Sequence, residues 1–162
     1  MDPLILRSAI PADAPEIVRL IRALAAAGER RAPMIAPVTE ASVIADGFGP
    51  QPCFEAILAF RGGEAVGLAQ FYPIYAAWRG ECAVSIANLY VAHDERRTGL
   101  GRRLVSAVAR RALAMGARRL ELQVEADNPA QAFYRRVGFG LLTDIRCRMD
   151  ADGIARLATD AT

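Results

Sequence analysis

The apolar positions of this chain follow two different rhythms. In one segment they recur every three or four residues, the spacing of a single helix face: Leu104, Val108, Ala112 and Met115. In another they alternate with polar residues, as in a half-buried strand: Leu120, Leu122 and Val124. Segments of both kinds follow one another along the chain, which predicts a mixed α/β fold.

Strand-like segments are rich in apolar and β-branched residues and are bounded by turn residues. The predicted strands are 4–9, 54–60, 65–75, 82–91, 120–125 and 141–149. Arg61-Gly62-Gly63-Glu64 joins the second and third of them as a hairpin. Asp152-Gly153 is expected to turn the chain into a further strand.

Four helices are predicted between the strands. The first begins at Asp13, an N-cap with a glutamate three residues later, and ends at Gly28. The last begins at Asn128, an N-cap followed by a proline. The other two span 39–46 and 102–115. The order β-α-α-β-β-β-α-β-α-β contains one strand–helix–strand crossover and predicts a mostly antiparallel central sheet with flanking helices.

Composition indicates a folded chain. Hydrophobic residues make up 53% of the 162 residues and the mean hydropathy is +0.18, so we expect one domain spanning residues 1–162. No apolar run approaches the ~18 residues of a membrane helix, and Met1-Asp2-Pro3 lacks a basic segment. Neither a membrane partner nor a signal peptide is therefore expected.

The three cysteines, Cys53, Cys82 and Cys147, are widely spaced and form no C-x-x-C. This pattern predicts reduced, mostly buried thiols and a cytoplasmic location. No metal site is expected.

The net charge of +2 is too small to predict a nucleic-acid partner. Between positions 96 and 136, however, there are only three acidic residues and ten arginines: 96, 97, 102, 103, 110, 111, 118, 119, 135 and 136. Those at 110, 111, 118 and 119 are interpreted as a solvated helix face. Among those at 96, 97, 102 and 103, we expect at least one to bind phosphate.

The segment Arg96-Arg97-Thr98-Gly99-Leu100-Gly101 lies between a predicted strand and a predicted helix. Such a loop presents bare backbone N–H groups at the positive end of the helix dipole, which suits a phosphate. Turns need glycine in any case, so the loop alone is weak evidence. It lacks the G-x-G-x-x-G spacing of a dinucleotide-binding fold and follows a hairpin, which argues against that class.

A second segment, Asn128-Pro129-Ala130-Gln131-Ala132-Phe133-Tyr134-Arg135-Arg136-Val137-Gly138-Phe139, adds weight to the first. Together they resemble the GNAT superfamily of acetyl-CoA-dependent N-acetyltransferases, whose cofactor motif Q/R-x-x-G-x-G/A is matched by Arg96, Gly99 and Gly101. The resemblance covers nearly the whole chain. It is strongest toward the diamine (spermidine/spermine) and thialysine acetyltransferase branch, through segments 46–49, 71–75, 78–80 and 89–91.

The resemblance implies that acetyl-CoA is the co-substrate and that a small-molecule primary amine is the acceptor. It implies that the pantetheine arm lies between the strand ending at Val91 and the strand 120–124, where the Val91 N–H polarises the thioester carbonyl. The residues assigned to acetyl-CoA are Leu89, Tyr90, Val91, Arg96, Arg97, Thr98, Gly99, Leu100, Gly101, Arg102 and Asn128. A homodimer is expected by analogy.

Tyr134 is the candidate general acid, because a phenol with an ordinary pKa of ~10 keeps its proton at neutral pH and can give it to the leaving sulfur. On helical spacing alone, a core-packing tyrosine is the alternative. Asn128 can cap its helix, contact the pantetheine, or both. Tyr75, Trp78 and Asn88 are assigned tentatively to the acceptor pocket, with core packing or dimer contacts as the alternative for the two aromatic residues.

The general base is not identified by the sequence. Where the diamine branch has an acidic pair, this chain has Ala87 and Asn88, and Ala26-Ala27-Gly28 replaces the acidic and aromatic residues at the end of the first helix. Spermidine is therefore expected to be a poor acceptor. The remaining acids near the predicted cleft are Glu81, Asp94, Glu125 and Asp127; His93 is interpreted as a surface turn residue, and water could relay the proton. A domain that binds acyl-CoA without turnover is the competing hypothesis.

Overall fold

Five strands form one sheet in the order in which they occur along the chain. The structure, a computed structural model, describes residues 2–27, 38–142 and 149–159. The strands are β1 (Leu4–Ser8), β2 (Glu55–Arg61), β3 (Glu64–Ala76), β4 (Glu81–Val91) and β5 (Arg119–Leu122). The helices are α1 (Ala14–Ala26), α2 (Glu40–Phe48), α3 (Leu100–Ala114), α4 (Gln131–Val137) and α5 (Ala151–Thr159).

Strands β1 to β4 pair antiparallel, whereas β5 is parallel to β4 and reaches it through α3. The pairing of β4 with β5 begins at Ala83 with Arg119 and ends at Ile86 with Leu122. The pairs that join β4 to β5 therefore end five residues before β4 itself ends at Val91. The predicted mixed α/β fold is confirmed, and the pairing of β4 with β5 ends at this point.

Each face of the sheet carries its own hydrophobic core. On one face α3 packs through residues that include Leu100, Leu104 and Val108, each at most 1% exposed. On the other face lies the core that α1 and α2 share with β2 and β3, including Ile17, Leu20, Val43, Leu58 and Leu68. Both helical stripes follow the apolar spacing of the sequence, because only residues three or four apart share one side of a helix.

A β-bulge interrupts β4 close to where the two strands separate. Gln70 of β3 pairs with Asn88, but its neighbour Phe71 pairs with Ile86. Ala87 is therefore an extra residue on β4. A bulge of this kind bends its strand and increases the local twist, and here it lies at the last pair between β4 and β5.

Several predicted elements need correction. The predicted strand 120–125 is wrong at its end, because β5 already ends at Leu122. The turn and strand expected at Asp152-Gly153 are instead helix α5. The fourth helix begins at Gln131 with Ala130 as its N-cap, because Asn128 and Pro129 belong to the preceding turn. The predicted end of the first helix at Gly28 and most of the strand 141–149 lie outside the described residues.

Two side-chain expectations also need correction. Asp13 does precede α1, but its carboxylate makes no capping bond to that helix; it accepts hydrogen bonds from the Ile10 N–H (2.8 Å) and from Arg7 (2.6 and 2.8 Å). Cys53 and Cys82 are exposed thiols rather than buried ones. Cys147 lies outside the described residues.

Candidate active site

The loop between β4 and α3 has a defined backbone conformation. His93–Glu95 form a single 3₁₀ turn. Arg97 and Gly99 then adopt left-handed conformations, with φ of 65° and 87°. Thr98 donates from its hydroxyl to the Glu95 carbonyl at 2.7 Å, which holds the turn closed. The chain thus reverses direction in seven residues and enters α3 at Leu100.

Glycine is favoured at the two positions of the loop for different structural reasons. Gly99 is the N-cap of α3, and its positive φ favours glycine although no atom lies within 4 Å of where a Cβ would be. At Gly101 a Cβ would lie 3.2 Å from the ring of Phe133 in α4 and 3.9 Å from Val91. Gly101 therefore allows α4 to approach the start of α3 beside the end of β4.

The last residues of β4, 89–91, run on beyond its final pair with β5. The Ala92 N–H donates to the Val66 carbonyl on the β3 side, at 2.9 Å. Backbone N–H groups alternate between the two edges of a strand, so the Val91 N–H points away from β3 and into the gap. The Val91 carbonyl accepts a hydrogen bond from Arg96 Nε at 3.2 Å. The family resemblance places the hydrogen-bond donor for the thioester carbonyl, the Val91 N–H, at this edge.

An ion pair whose side chains are largely shielded from solvent ties the loop to the sheet. Arg61, the last residue of β2, donates from Nε and one terminal nitrogen to the two carboxylate oxygens of Glu95, at 2.5 and 3.0 Å. The Arg61 guanidinium holds the pKa of the Glu95 carboxyl below its usual range, mainly through this hydrogen bond. The arginines in the loop and directly after it are exposed: Arg96, Arg97, Arg102 and Arg103.

Asn128 and Tyr134 lie on the segment that leads into and through α4. The Asn128 side-chain oxygen accepts a hydrogen bond from the Ala130 N–H at 2.8 Å, which stabilises the turn before the helix. Tyr134 is half-buried, with its ring 5.2 Å from Phe133 and 5.9 Å from Phe139, centroid to centroid. Phe133, which packs against Tyr134, is also the ring nearest to Gly101 at the start of α3.

Asn88 lies on the opposite face of β4 from α3. Leu68 and Tyr90, which pair with each other, pack in the core on the α1 side. Gln70 and Asn88, two residues further along their strands, share that face. The Asn88 side-chain amide donates to the Gln70 side-chain oxygen at 2.5 Å. Gln70 was not expected from the sequence.

Tyr75 and Trp78 are not brought to this place. Tyr75 pairs with Cys82, five residues along β3 from the pair of Gln70 and Asn88, or about 17 Å at the rise of an antiparallel strand. The two aromatic residues are 66% and 81% exposed, and Arg79 lies over the Trp78 ring. They form the end of the ribbon made by β3 and β4.

A carboxylate that was not singled out in the sequence lies close to the bulge. Glu121 pairs with Ser85 across β4 and β5. Because Leu120 and Leu122 pack in the core on the α3 side, Glu121 projects from the same face as Asn88. Its carboxylate accepts a hydrogen bond from Arg119 Nε at 3.2 Å, and Arg119 also binds Glu81. The alternation of Leu120, Glu121 and Leu122 was the signal that could have revealed it.

The described part of the chain contains no helix long and apolar enough to cross a membrane. Within the same ranges, no group of three or more histidine, cysteine, aspartate or glutamate side chains is arranged to hold a metal ion.

Comparison with known proteins gives a consistent result. The model of the acetyltransferase (GNAT) family matches residues 20–139. A thialysine N-epsilon-acetyltransferase of Mus musculus is 29% identical over 166 residues, which cover 94% of this chain and 96% of the relative. A spermidine/spermine N(1)-acetyltransferase-like protein 1 of Homo sapiens is 31% identical over 120 residues, 70% of this chain but only 17% of that longer protein.

The fold itself is also found among solved structures. The aminoglycoside N-acetyltransferase AAC(6')-Iy in complex with CoA has a TM-score of 0.74 to this chain at 17% sequence identity, covering 93% of this chain and 97% of the other. At that identity the likeness concerns the fold alone.

Proposed function

This chain belongs to the acetyltransferase (GNAT) family, whose members use acetyl-CoA, and we propose that it moves the acetyl group to a primary amine of a small molecule. The observation that carries the proposal is the end of β4, residues 89–91, which runs beyond its last pair with β5 and leads into a glycine loop at a helix N-terminus. The alternative of an acyl-CoA-binding domain without turnover is not favoured, since relatives over nearly the full chain are named as acetyltransferases.

The residues of the loop and of the open edge fit the donor. The backbone N–H groups from Arg97 to Gly101, with the side chains of Arg96 and Arg102 beside them, would hold the pyrophosphate at the positive end of α3. The edge of Leu89 to Val91 would continue the sheet's hydrogen bonding with the pantetheine arm, and the side-chain nitrogen of Asn128 would contact it from the turn before α4. When bound, acetyl-CoA supplies the thioester that is cleaved.

Two groups of the chain would act on the reacting atoms. The Val91 N–H points into the gap and would donate a hydrogen bond to an oxygen that gains negative charge there. Tyr134, whose ring packs against those of Phe133 and Phe139, would give its proton to the departing sulfur. Both groups belong to the α3 side of the molecule and to the residues that the sequence motifs identified.

For the acceptor, we propose a small molecule that carries a second cationic group besides the amine that reacts. Thialysine, the substrate in the name of the mouse relative, is such a molecule. Arg119 binds Glu121 on the face of β4 that carries Asn88, and it also binds Glu81 farther along the sheet, so it neutralises the partly exposed Glu121 carboxylate only in part. One such carboxylate matches an acceptor with one spare ammonium group better than a long polyamine with several.

The proposal is tested with purified protein, acetyl-CoA and a panel of amines. Thiol release is measured with polyamines, thialysine, ornithine, simple diamines and aminoglycosides, and products are identified by mass. We expect release that depends on the amine and is fastest with a short diamine or a diamino acid. Binding of CoA by calorimetry without any amine-dependent release would support the domain without turnover instead.

We also propose that residues 1–162 act as one cytoplasmic domain that forms a homodimer and has no nucleic-acid or membrane partner. The two cores share one sheet, and the exposed Tyr75 and Trp78 offer apolar area for a contact between copies. Light scattering after size exclusion tests the dimer: a mass near 17.5 kDa at all concentrations would contradict it.

A further inference from the structure

The side chain that orients the donor loop comes from a distant part of the sequence. Arg61 ends β2, 34 residues before Glu95, and the hairpin that follows it lies at the end of the sheet where β4 also ends. All three guanidinium nitrogens donate: Nε and one terminal nitrogen bind Glu95, and the other terminal nitrogen donates to the Asp2 carbonyl at 2.7 Å. A guanidinium held at three points has one orientation.

Glu95 connects Arg61 to the backbone of the glycine loop. Its side chain is bound by Arg61, its N–H donates to the Ala92 carbonyl at 2.9 Å, and its carbonyl accepts the Thr98 hydroxyl at 2.7 Å. Thr98 is the residue directly before Gly99, whose left-handed conformation starts α3. The ion pair is shielded, with side-chain exposures of 21% for Arg61 and 12% for Glu95.

We propose that the pair of Arg61 and Glu95 positions the donor loop, so that acetyl-CoA affinity depends on a residue of the β2–β3 hairpin that does not itself lie in the loop. The inference rests on the proposed role of the loop as the pyrophosphate site. Arg61 and Glu95 are positioning residues: they act on the backbone N–H groups of the loop and not on the reacting atoms. Preorganised donors bind an anion more tightly than donors that must first be ordered.

The chain provides a matched control pair. Arg111 of α3 binds Glu55 at the other end of β2 in the same two-bonded manner, at 2.7 and 2.9 Å. This pair joins β2 to α3, and neither of its two residues belongs to the loop. The variants Arg111→Gln and Glu55→Gln therefore measure what the loss of an arginine–carboxylate pair does to stability when the loop is not involved.

The experiment measures CoA affinity by calorimetry for Arg61→Gln, Glu95→Gln and the double variant, beside the same three variants of the control pair. We expect each single change at 61 or 95 to weaken CoA binding about fivefold, and the double variant to be no weaker than either single one, since the same pair is lost each time. The KM for the amine should stay unchanged. The control pair should leave CoA affinity within about twofold of the wild type.

Hydrogen exchange of residues 93–99 gives a second readout that does not need bound CoA. Faster exchange in Arg61→Gln, with the rest of the sheet unchanged and an unfolding midpoint equal to that of Arg111→Gln, is the expected result. Unchanged CoA affinity and unchanged exchange would overturn the inference, as would equal losses in both pairs. If the wild-type protein itself binds no CoA while exchange in the loop still responds, the proposed function fails and the positioning contact stands.

Discussion

The two sides of β4 are built in different ways. The proposed donor side uses a continuous stretch of chain, from Leu89 through the loop to Arg102, and one neighbouring helix. The proposed acceptor side combines single residues of three strands: Gln70 from β3, Asn88 from β4 and Glu121 from β5. A continuous segment keeps its chemistry in a readable motif, whereas a site assembled across strands depends on register. The proposed donor site is therefore the part that the sequence reveals, and the proposed acceptor site is the part that depends on the register of the sheet.

The largest effect is expected on the donor side, at Tyr134. Tyr134→Phe keeps the ring packed between Phe133 and Phe139 and removes the hydroxyl. General acid catalysis is worth ~10²–10⁴-fold, and a thiolate is a good leaving group, so we expect kcat to fall about 10²-fold. Acetyl-CoA affinity, measured by calorimetry, should change little. A variant with wild-type kcat on its best acceptor would return Tyr134 to a packing role.

The next effect concerns the loop backbone. Gly99→Val places a branched side chain at a φ of 87°, which costs roughly 1–2 kcal/mol and moves the N–H groups that would hold phosphate. We expect CoA affinity to fall about tenfold or more. Gly101→Val is a less specific test, because its side chain would push on Phe133.

Gly116, at the other end of α3, is the control for Gly99. Its φ is 77°, and no atom lies within 4 Å of a Cβ there. Gly116→Val therefore carries the same backbone cost far from the loop. If Gly99→Val and Gly116→Val bind CoA equally well, the loop is not the phosphate site. The proposed contrast between the two sides of β4 would then be wrong.

Much of the fold could be predicted from the sequence, because the hydrophobic pattern reports the faces of strands and helices directly. β3 and β4 were located to within one residue at each end. The errors lie where side-chain pattern and backbone pairing disagree. Val124 continues the alternation of β5, yet β5 ends at Leu122, where the bulge at Ala87 has turned β4 away from its neighbour. A single extra residue in another strand leaves no mark on the pattern of 120–125.

The residues of the candidate site also fall into two groups: those that a local motif predicts and those that depend on tertiary contacts. The motif residues Gly99 and Gly101 could be predicted, although the contact of Gly101 with Phe133 depends on tertiary packing. Arg61 and Gln70 could not, because nothing local in the sequence joins them to Glu95 or Asn88. Tyr75 was grouped with Asn88 in the sequence, and only the register of β3 with β4 shows how far apart they lie.

A smaller effect is expected on the acceptor side, at Glu121. If its carboxylate meets the spare ammonium group of the acceptor, Glu121→Gln should lower kcat/KM for 1,5-diaminopentane about fivefold, the value of one partly exposed charge pair. The rate with 1-aminopentane, which has no second charge, should not change. The comparison of the two amines separates recognition of charge from general damage.

Glu55→Gln serves as the control for Glu121, since Glu55 is also a carboxylate bound by one arginine but lies beside α3. It should alter the rates with neither amine. Equal losses for the diamine and the monoamine in Glu121→Gln would contradict the proposed recognition and would leave Glu121 as a structural residue of β5.

The smallest effect is a gain. Asn88→Asp puts a carboxylate next to the bulge, at one of the two positions where the diamine branch is acidic, and the Gln70 amide can turn its nitrogen toward the new oxygen to replace the bond now made at 2.5 Å. One added, partly solvated charge contributes up to about 1 kcal/mol, so kcat/KM for spermidine should rise about twofold to fivefold. Steady-state rates with spermidine and 1-aminopentane test this, because the monoamine should gain nothing. A micromolar KM for spermidine in the wild-type protein would show that the missing acid at position 88 is no obstacle, and that the sheet already supplies the carboxylates a polyamine needs.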